Sequence, residues 1–275
     1  MVVAQGKSSD ILRQLYGDIK KYQTMLAPYQ DNLVSKYPNP NLKKYFSSIN
    51  KKIIAIMPMV FCESLLLDLG QKVNKKDLVA LGLHMLAIST HDDVVDEMPE
   101  NRTELAALVY AGNIASNEGS KILIQQGKTK VAEVLLMMIN QNHYYQQHVI
   151  ETLWQHKPIS FKNYRSGINH ICVFSAIGLI YALALTNKLA LKKRIQDFAD
   201  GYGVSLQLID DLREVEEDRK FGYWSFPIIE GEPYKKSFEQ LFLHIELCKR
   251  SLPPEWKNMH KIVEKLENYI KNICQ

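Results

Sequence analysis

Aspartates gather twice in this chain, each time where an apolar helical stretch ends. The first group reads His91-Asp92-Asp93-Val94-Val95-Asp96-Glu97, after Leu78, Val79, Leu81, Leu83, Met85, Leu86, Ala87 and Ile88. Asp92 and Asp96 are four residues apart, so their carboxylates project from one helix face. Like charges at that spacing cost a helix a few tenths of a kcal/mol, and acid at a helix C-terminus opposes the helix dipole. A hard divalent cation with oxygen ligands would offset both. A solvated acidic helix end is the plain alternative; the continuation of an apolar face favours a metal site.

The second group reads Gln207-Leu208-Ile209-Asp210-Asp211-Leu212-Arg213-Glu214-Val215-Glu216-Glu217-Asp218. Asp210, Glu214 and Asp218 fall at i, i+4 and i+8, one stripe on a helix led in by Val204, Leu206, Leu208 and Ile209. Alone it could be a charged surface helix neutralised by Arg213, Arg219 and Lys220. Two such helices facing each other across a bundle could instead hold several Mg2+ ions that bridge to a diphosphate. No Glu-x-x-His pair supports a redox di-metal centre, and no G-x-x-x-x-G-K-[ST] loop supports a P-loop nucleotide site.

The elements that carry these groups read as helices nearly throughout. Ile11, Leu12, Leu15, Ile19 and Tyr22 mark a first helix that ends before Pro38-Asn39-Pro40. A second spans about Leu42 to Leu69, kinked or interrupted by Pro58 and stopped by Gly70. Asn74 caps a helix that runs to about Glu97. Shorter helices are expected from Thr103 to Gly127, then a long one from Lys128 to His156, stopped by Pro158. Ser160 caps an apolar helix running to Thr186, and Leu189 to about Lys220 makes another, broken at Phe221-Gly222. Pro227 and Pro253-Pro254 separate two C-terminal helices. No linker, repeat or low-complexity tract divides the chain, so the reading is all-α: a single-domain bundle of about ten helices over residues 1–275.

The 275 residues can bury a large core. A net charge of +4 without a compact basic stripe argues against nucleic acid as a partner. Cys62, Cys172, Cys248 and Cys274 are widely spaced, which suits reduced thiols in the cytoplasm. Met1 to Asp10 lacks the apolar core of a signal peptide. The apolar run Ile171 to Leu185 is short for a transmembrane segment and reads as a core helix.

The two acidic motifs resemble those of the trans-isoprenyl diphosphate synthase (polyprenyl synthetase) and class I terpene synthase superfamily. His91, Asp92, Asp93 and Asp96 are similar to its first D-D-x-x-D motif. Leu206, Gln207, Asp210, Asp211 and Glu214 are similar to its second, F-Q-x-x-D-D-x-x-D, with Glu in place of the last Asp. The resemblance implies a helical fold around a central cavity, a homodimer, and Mg2+ as cofactor. It implies that Asp92, Asp93, Asp96 and Asp210 are catalytic, and that Asp92, Asp96, Asp210, Glu214 and Asp218 hold the metal. Arg102, Arg165, Arg219 and Lys220 are the cations expected at a prenyl diphosphate. His84, Ala87, Ile88, Phe174 and Gln207 are expected to line the pocket, with plain core packing the alternative for His84 and Phe174. Tyr181, Phe198, Tyr202 and Phe61 are further aromatic candidates, also with core packing as the alternative.

Departures from the family pattern fall on its cations. The G-K-R-x-R-P clamp corresponds here to Asn50-Lys51-Lys52-Ile53-Ile54-Ala55-Ile56-Met57-Pro58, and the paired arginines after the first motif are reduced to Asn101-Arg102. The Lys-Thr pair is replaced within Tyr164-Arg165-Ser166-Gly167, and the later Gly-Lys around Gly222-Tyr223-Trp224. Two diphosphates need many cations, so the expected activity is ionisation of one allylic diphosphate of C15 or longer. It would end in cyclisation, elimination or transfer to an acceptor other than isopentenyl diphosphate. A chain-elongating synthase and a non-catalytic subunit of a heteromeric synthase are the alternatives.

Overall fold

The computed structural model describes residues 15–16, 19–47, 53–96, 101–152, 161–222 and 224–273, all helix, turn or loop. Helix α1 (Lys20–Lys36) continues the face begun by Leu15 and Ile19 through Tyr22, Leu26 and Leu33; Ile11 and Leu12 lie outside the described residues. The stretch expected to be kinked or interrupted at Pro58 holds two helices, α2 (Pro40–Phe46) and α3 (Met57–Asp68). Pro58 sits in the first turn of α3, where its missing N–H costs nothing. Gly70, at φ +70°, closes α3: Gln71 N–H donates to the carbonyl of Leu66 at 2.9 Å.

Asn74 caps α4 (Lys75–Asp96) by accepting from the Lys76 N–H at 2.9 Å; Glu97 lies outside the described residues. The segment expected as several short helices is one helix, α5 (Arg102–Gln125), capped by Asn101. Its glycines are contact points rather than breaks: a Cβ on Gly119 would sit 2.4 Å from the His84 ring. α6 (Thr129–Thr152) follows; Pro158 and Ser160, expected as a stop and a cap, lie outside the described residues. The apolar stretch after them is two helices, α7 (Phe161–Gly167) and α8 (Asn169–Leu185), with a turn at Ile168. A 3-10 turn leads into α9 (Lys192–Phe221), which ends at Gly222 with φ +74°. Short α10 (Phe226–Glu230), α11 (Lys235–Ser251) and α12 (Lys257–Ile273) complete the order.

Among the described residues, only Asn163–Leu185 is long and apolar enough to cross a membrane, and 72% of its most apolar window is buried by the rest of the chain. Helix α8 packs on α3, α6 and α9, which is the position of a core helix. A fully buried Leu or Ile contributes about 1.5–3 kcal/mol relative to exposure, and Ile177, Leu179, Ile180 and Leu183 are all buried. The approach to α3 is close enough that Gly178 lies under the Pro58 carbonyl. Helix α4 packs along α5 and touches α3 and α6, while α9 packs on α8 and α11. The Asp68 carboxylate ties the C-terminal helix to α3, accepting from the Asn258 and Met259 N–H groups at 2.9 Å each. It acts as an N-cap borrowed from a distant helix.

Candidate active site

The first carboxylates emerge where α4 leaves the core. Residues 77–90 are all buried, and His91, Asp92, Asp93 and Val94 are half-buried. Asp92 is held from α6, where Gln146 Nε2 donates to its Oδ1 at 2.7 Å. His91 turns towards α5, against Gly112, and meets His143 of α6 with 3.3 Å between His91 Nδ1 and His143 Nε2. Burial lowers the pKa of both rings; His143 falls to about 4, helped by the nearby His91. Two neutral imidazoles can share one N–H between them. Asp96 occupies the last position of α4, and its side chain lies outside the described residues.

The second group rides on one unbroken helix, so Asp210, Glu214 and Asp218 do share a stripe of α9. Asp211 behaves differently from its neighbours. It is 5% exposed, and both its oxygens are engaged: Gln207 Nε2 donates to Oδ1 at 2.7 Å and the Tyr164 hydroxyl to Oδ2 at 2.5 Å. Tyr164 is itself buried and stacks on Phe226 with ring centres 5.8 Å apart. Burial, aided by Asp218 and Asp210, pushes the Asp211 carboxyl up to about 7 even though both hydrogen bonds pull it down. Asp218 rises to about 6 through burial, then through the charges of Glu214 and Glu217. Asp210 and Glu214 are half-buried.

The expected cations are more scattered. Arg102 is exposed at the start of α5. Arg165 reaches along α8 to Asn169 at 3.3 Å and to Cys172, with Asp200 and His244 among its charged neighbours. Arg219 is exposed and paired with Glu216 at 2.8 Å, and Lys220 is exposed. Of the pocket residues, Ala87, Ile88 and Phe174 are buried and Gln207 serves Asp211. His84 has both ring nitrogens occupied, by the Ala80 carbonyl at 2.7 Å and the Ser120 hydroxyl at 3.0 Å, which makes it a satisfied core histidine. Phe61, Phe198 and Tyr202 pack on one another in the core, and the Tyr181 hydroxyl donates to the Asp77 carbonyl.

Sequence reasoning missed Gln146, His143 and Tyr164. Each meets its partner across 47 to 54 positions of chain, so no local spacing announces it.

Among the described residues no three His, Cys, Asp or Glu side chains converge on one point. The donor set nonetheless suits a hard cation. Among the described residues it consists of half-buried carboxylate oxygens, with Asp218 raised by burial and then by the charges of Glu214 and Glu217, and Mg2+ takes such ligands. Asp211 is the exception, because both its oxygens are used.

No protein-family model matches the sequence, and no curated protein matches it either. Experimentally determined structures do match. A geranyltranstransferase from Thermotoga maritima superposes with TM-score 0.65 at 14% identity, over 92% of this chain and 98% of that one. An isoprenoid synthase family member from Thermotoga neapolitana gives 0.68 at 17% identity, over 90% and 98%. A decaprenyl diphosphate synthase from Rhodobacter capsulatus gives 0.58 at 14% identity, over 96% and 89%. The chain therefore has the all-α isoprenoid synthase fold.

Proposed function

We propose that this chain is a Mg2+-dependent enzyme that ionises an allylic prenyl diphosphate of C15 or longer. The observation that carries this reading is the presence of two helices, α4 and α9, that each turn from apolar to acidic within an isoprenoid synthase fold. Asp92, Asp96, Asp210, Glu214 and Asp218 would hold the metal, with Asp93 beside them. When bound, Mg2+ would neutralise the diphosphate as the allylic C–O bond breaks. The chain's own part is positioning and exclusion. Gln146 fixes the carboxylate of Asp92. The Tyr164–Asp211–Gln207 contacts tie the acidic turn of α9 to α7. Buried apolar residues below the acids, Ala87 and Ile88 among them, would keep water from the cation.

The fate of the cation divides two readings. The missing arginines favour cyclisation, elimination or transfer to an acceptor other than isopentenyl diphosphate. Names such as geranyltranstransferase and decaprenyl diphosphate synthase among the structural relatives favour chain elongation. Incubation with Mg2+ and farnesyl or geranylgeranyl diphosphate, with and without isopentenyl diphosphate, separates them by mass spectrometry. Hydrocarbon or alcohol without isopentenyl diphosphate supports the first reading; longer diphosphates only in its presence establish the second. No turnover under either condition would leave a non-catalytic subunit. Ala87→Phe is expected to shorten the longest accepted substrate, and an unchanged product range would remove Ala87 from the pocket.

Two further features belong to this reading. The cysteines Cys62, Cys172 and Cys248 are buried and unpaired, which suits a cytoplasmic enzyme; Cys274 lies outside the described residues. Tyr110 and Ile124 of α5 and Leu136, Met137 and Tyr144 of α6 are exposed large apolar side chains, which suits a homodimer built on these two helices.

A further inference from the structure

Arg213 interrupts the buried stripe of α9. Tyr202, Leu206, Ile209 and Arg213 recur at i, i+4, i+7 and i+11, a single helix face. Upstream that face is core. Tyr202 is fully buried, with its hydroxyl 2.9 Å from that of Tyr16 and its ring 5.0 Å from that of Phe61. Ile209 is buried as well. Where a fourth apolar side chain would extend the stripe, the chain carries a guanidinium whose Nε and Nη1 are buried without a hydrogen-bond partner.

Its acidic neighbours do not relieve it, although Asp210, Asp211, Glu214, Glu216 and Glu217 all lie within four positions along the helix. None of them accepts from Nε or Nη1, Asp211 is taken by Tyr164 and Gln207, and Glu216 is paired with Arg219. Buried donors left unpaired are costly, and arginine cannot escape by losing its proton. The residue as a whole is only half-buried, while its two unpaired nitrogens are enclosed, so an anion meets them when the side chain swings outward. A planar fork of N–H donors fits phosphate or carboxylate oxygens. Beside acids proposed to hold the Mg2+ of a prenyl diphosphate, phosphate is the chemistry that belongs there.

We propose that Arg213 is the receptor of a phosphoryl oxyanion, bound without help from a metal. The choice of phosphate rests on the function proposed above; the unpaired state of Nε and Nη1 does not. The oxyanion can come from the diphosphate of a prenyl substrate or from free pyrophosphate.

The test is thermal unfolding of the metal-free protein in EDTA, titrated with pyrophosphate or with an unreactive farnesyl thiodiphosphate, against sodium chloride of matched ionic strength. Wild type is expected to gain Tm with pyrophosphate and not with the salt control. Arg213→Met should melt no lower than wild type without anion and should lose the pyrophosphate shift. Arg213→Lys keeps the charge and loses the fork, and should bind pyrophosphate about tenfold more weakly. An Arg213-dependent shift with the farnesyl analogue assigns the oxyanion to the substrate; one with pyrophosphate alone assigns it to the free ion. No shift in wild type, or an equal shift in Arg213→Met and Arg213→Lys, overturns the proposal. Turnover with Mg2+, measured on the same preparation, tests the functional reading separately, since its absence leaves a metal-free shift standing.

Discussion

Asp210 and Asp211 are adjacent in sequence and opposite in circumstance: one is half-buried on the acidic stripe, the other is enclosed between Tyr164 and Gln207. Asp211 titrates at about 7 in the fold against an ordinary 3.8. The folded state therefore holds its proton more tightly, and this group's contribution to stability is present at low pH and lost as pH rises through 7. The histidines act the other way. His84, His143 and His170 fall to about 4 from 6.5, so their contribution is complete above 6.5 and lost as pH falls towards 4. The histidines are present in both proteins, so the comparison of wild type with Asp211→Asn isolates the carboxyl. As pH rises from about 4 to about 8, the urea midpoint of the metal-free wild type should fall relative to that of Asp211→Asn; parallel profiles would refute the assignment. The spacing of Asp92, Asp210 and Glu214 was legible from the chain because helix geometry converts spacing into a face. The enclosure of Asp211 was not, since Tyr164 reaches it across 47 positions.

At the scale of the element, caps announced themselves and close approaches did not. Asn74, Gly70 and Gly222 do what their residue types dictate at helix ends. Glycines inside helices are ambiguous, because a break and a contact look alike in sequence. In α5 a glycine admits the His84 ring, so the helix runs through what resembled a set of shorter ones. The clearest case is Gly178 in α8, where a Cβ would lie 2.0 Å from the Pro58 carbonyl oxygen. Gly to Ala inside a helix ordinarily stabilises by roughly 0.5–1 kcal/mol. Here the sign should reverse, with Gly178→Ala destabilising by about 1–3 kcal/mol as α3 and α8 are forced apart. Urea denaturation checks it, and an unchanged or raised midpoint would mean that the two helices do not meet as closely as described.

Across the whole molecule, the helix order was readable because apolar periodicity and breakers are local signals. Which helices touch was not. Nothing in the sequence says that α8 is wrapped by α3, α6 and α9, or that Asp68 caps the C-terminal helix. Assembly belongs to this scale too. If α5 and α6 meet their counterparts in a second copy, wild type should elute as a dimer in light-scattering chromatography and Met137→Glu as a folded monomer. A wild-type monomer at micromolar concentration would end that reading. Helix α8 also has a consequence in time. Its packing partners α3 and α6 precede it in the chain, but α9 is made only afterwards. During synthesis, therefore, the most apolar segment of the protein stands with one flank bare until some thirty more residues emerge to form α9. For that interval the nascent chain offers chaperones, or a nearby bilayer, a surface that the finished fold never exposes.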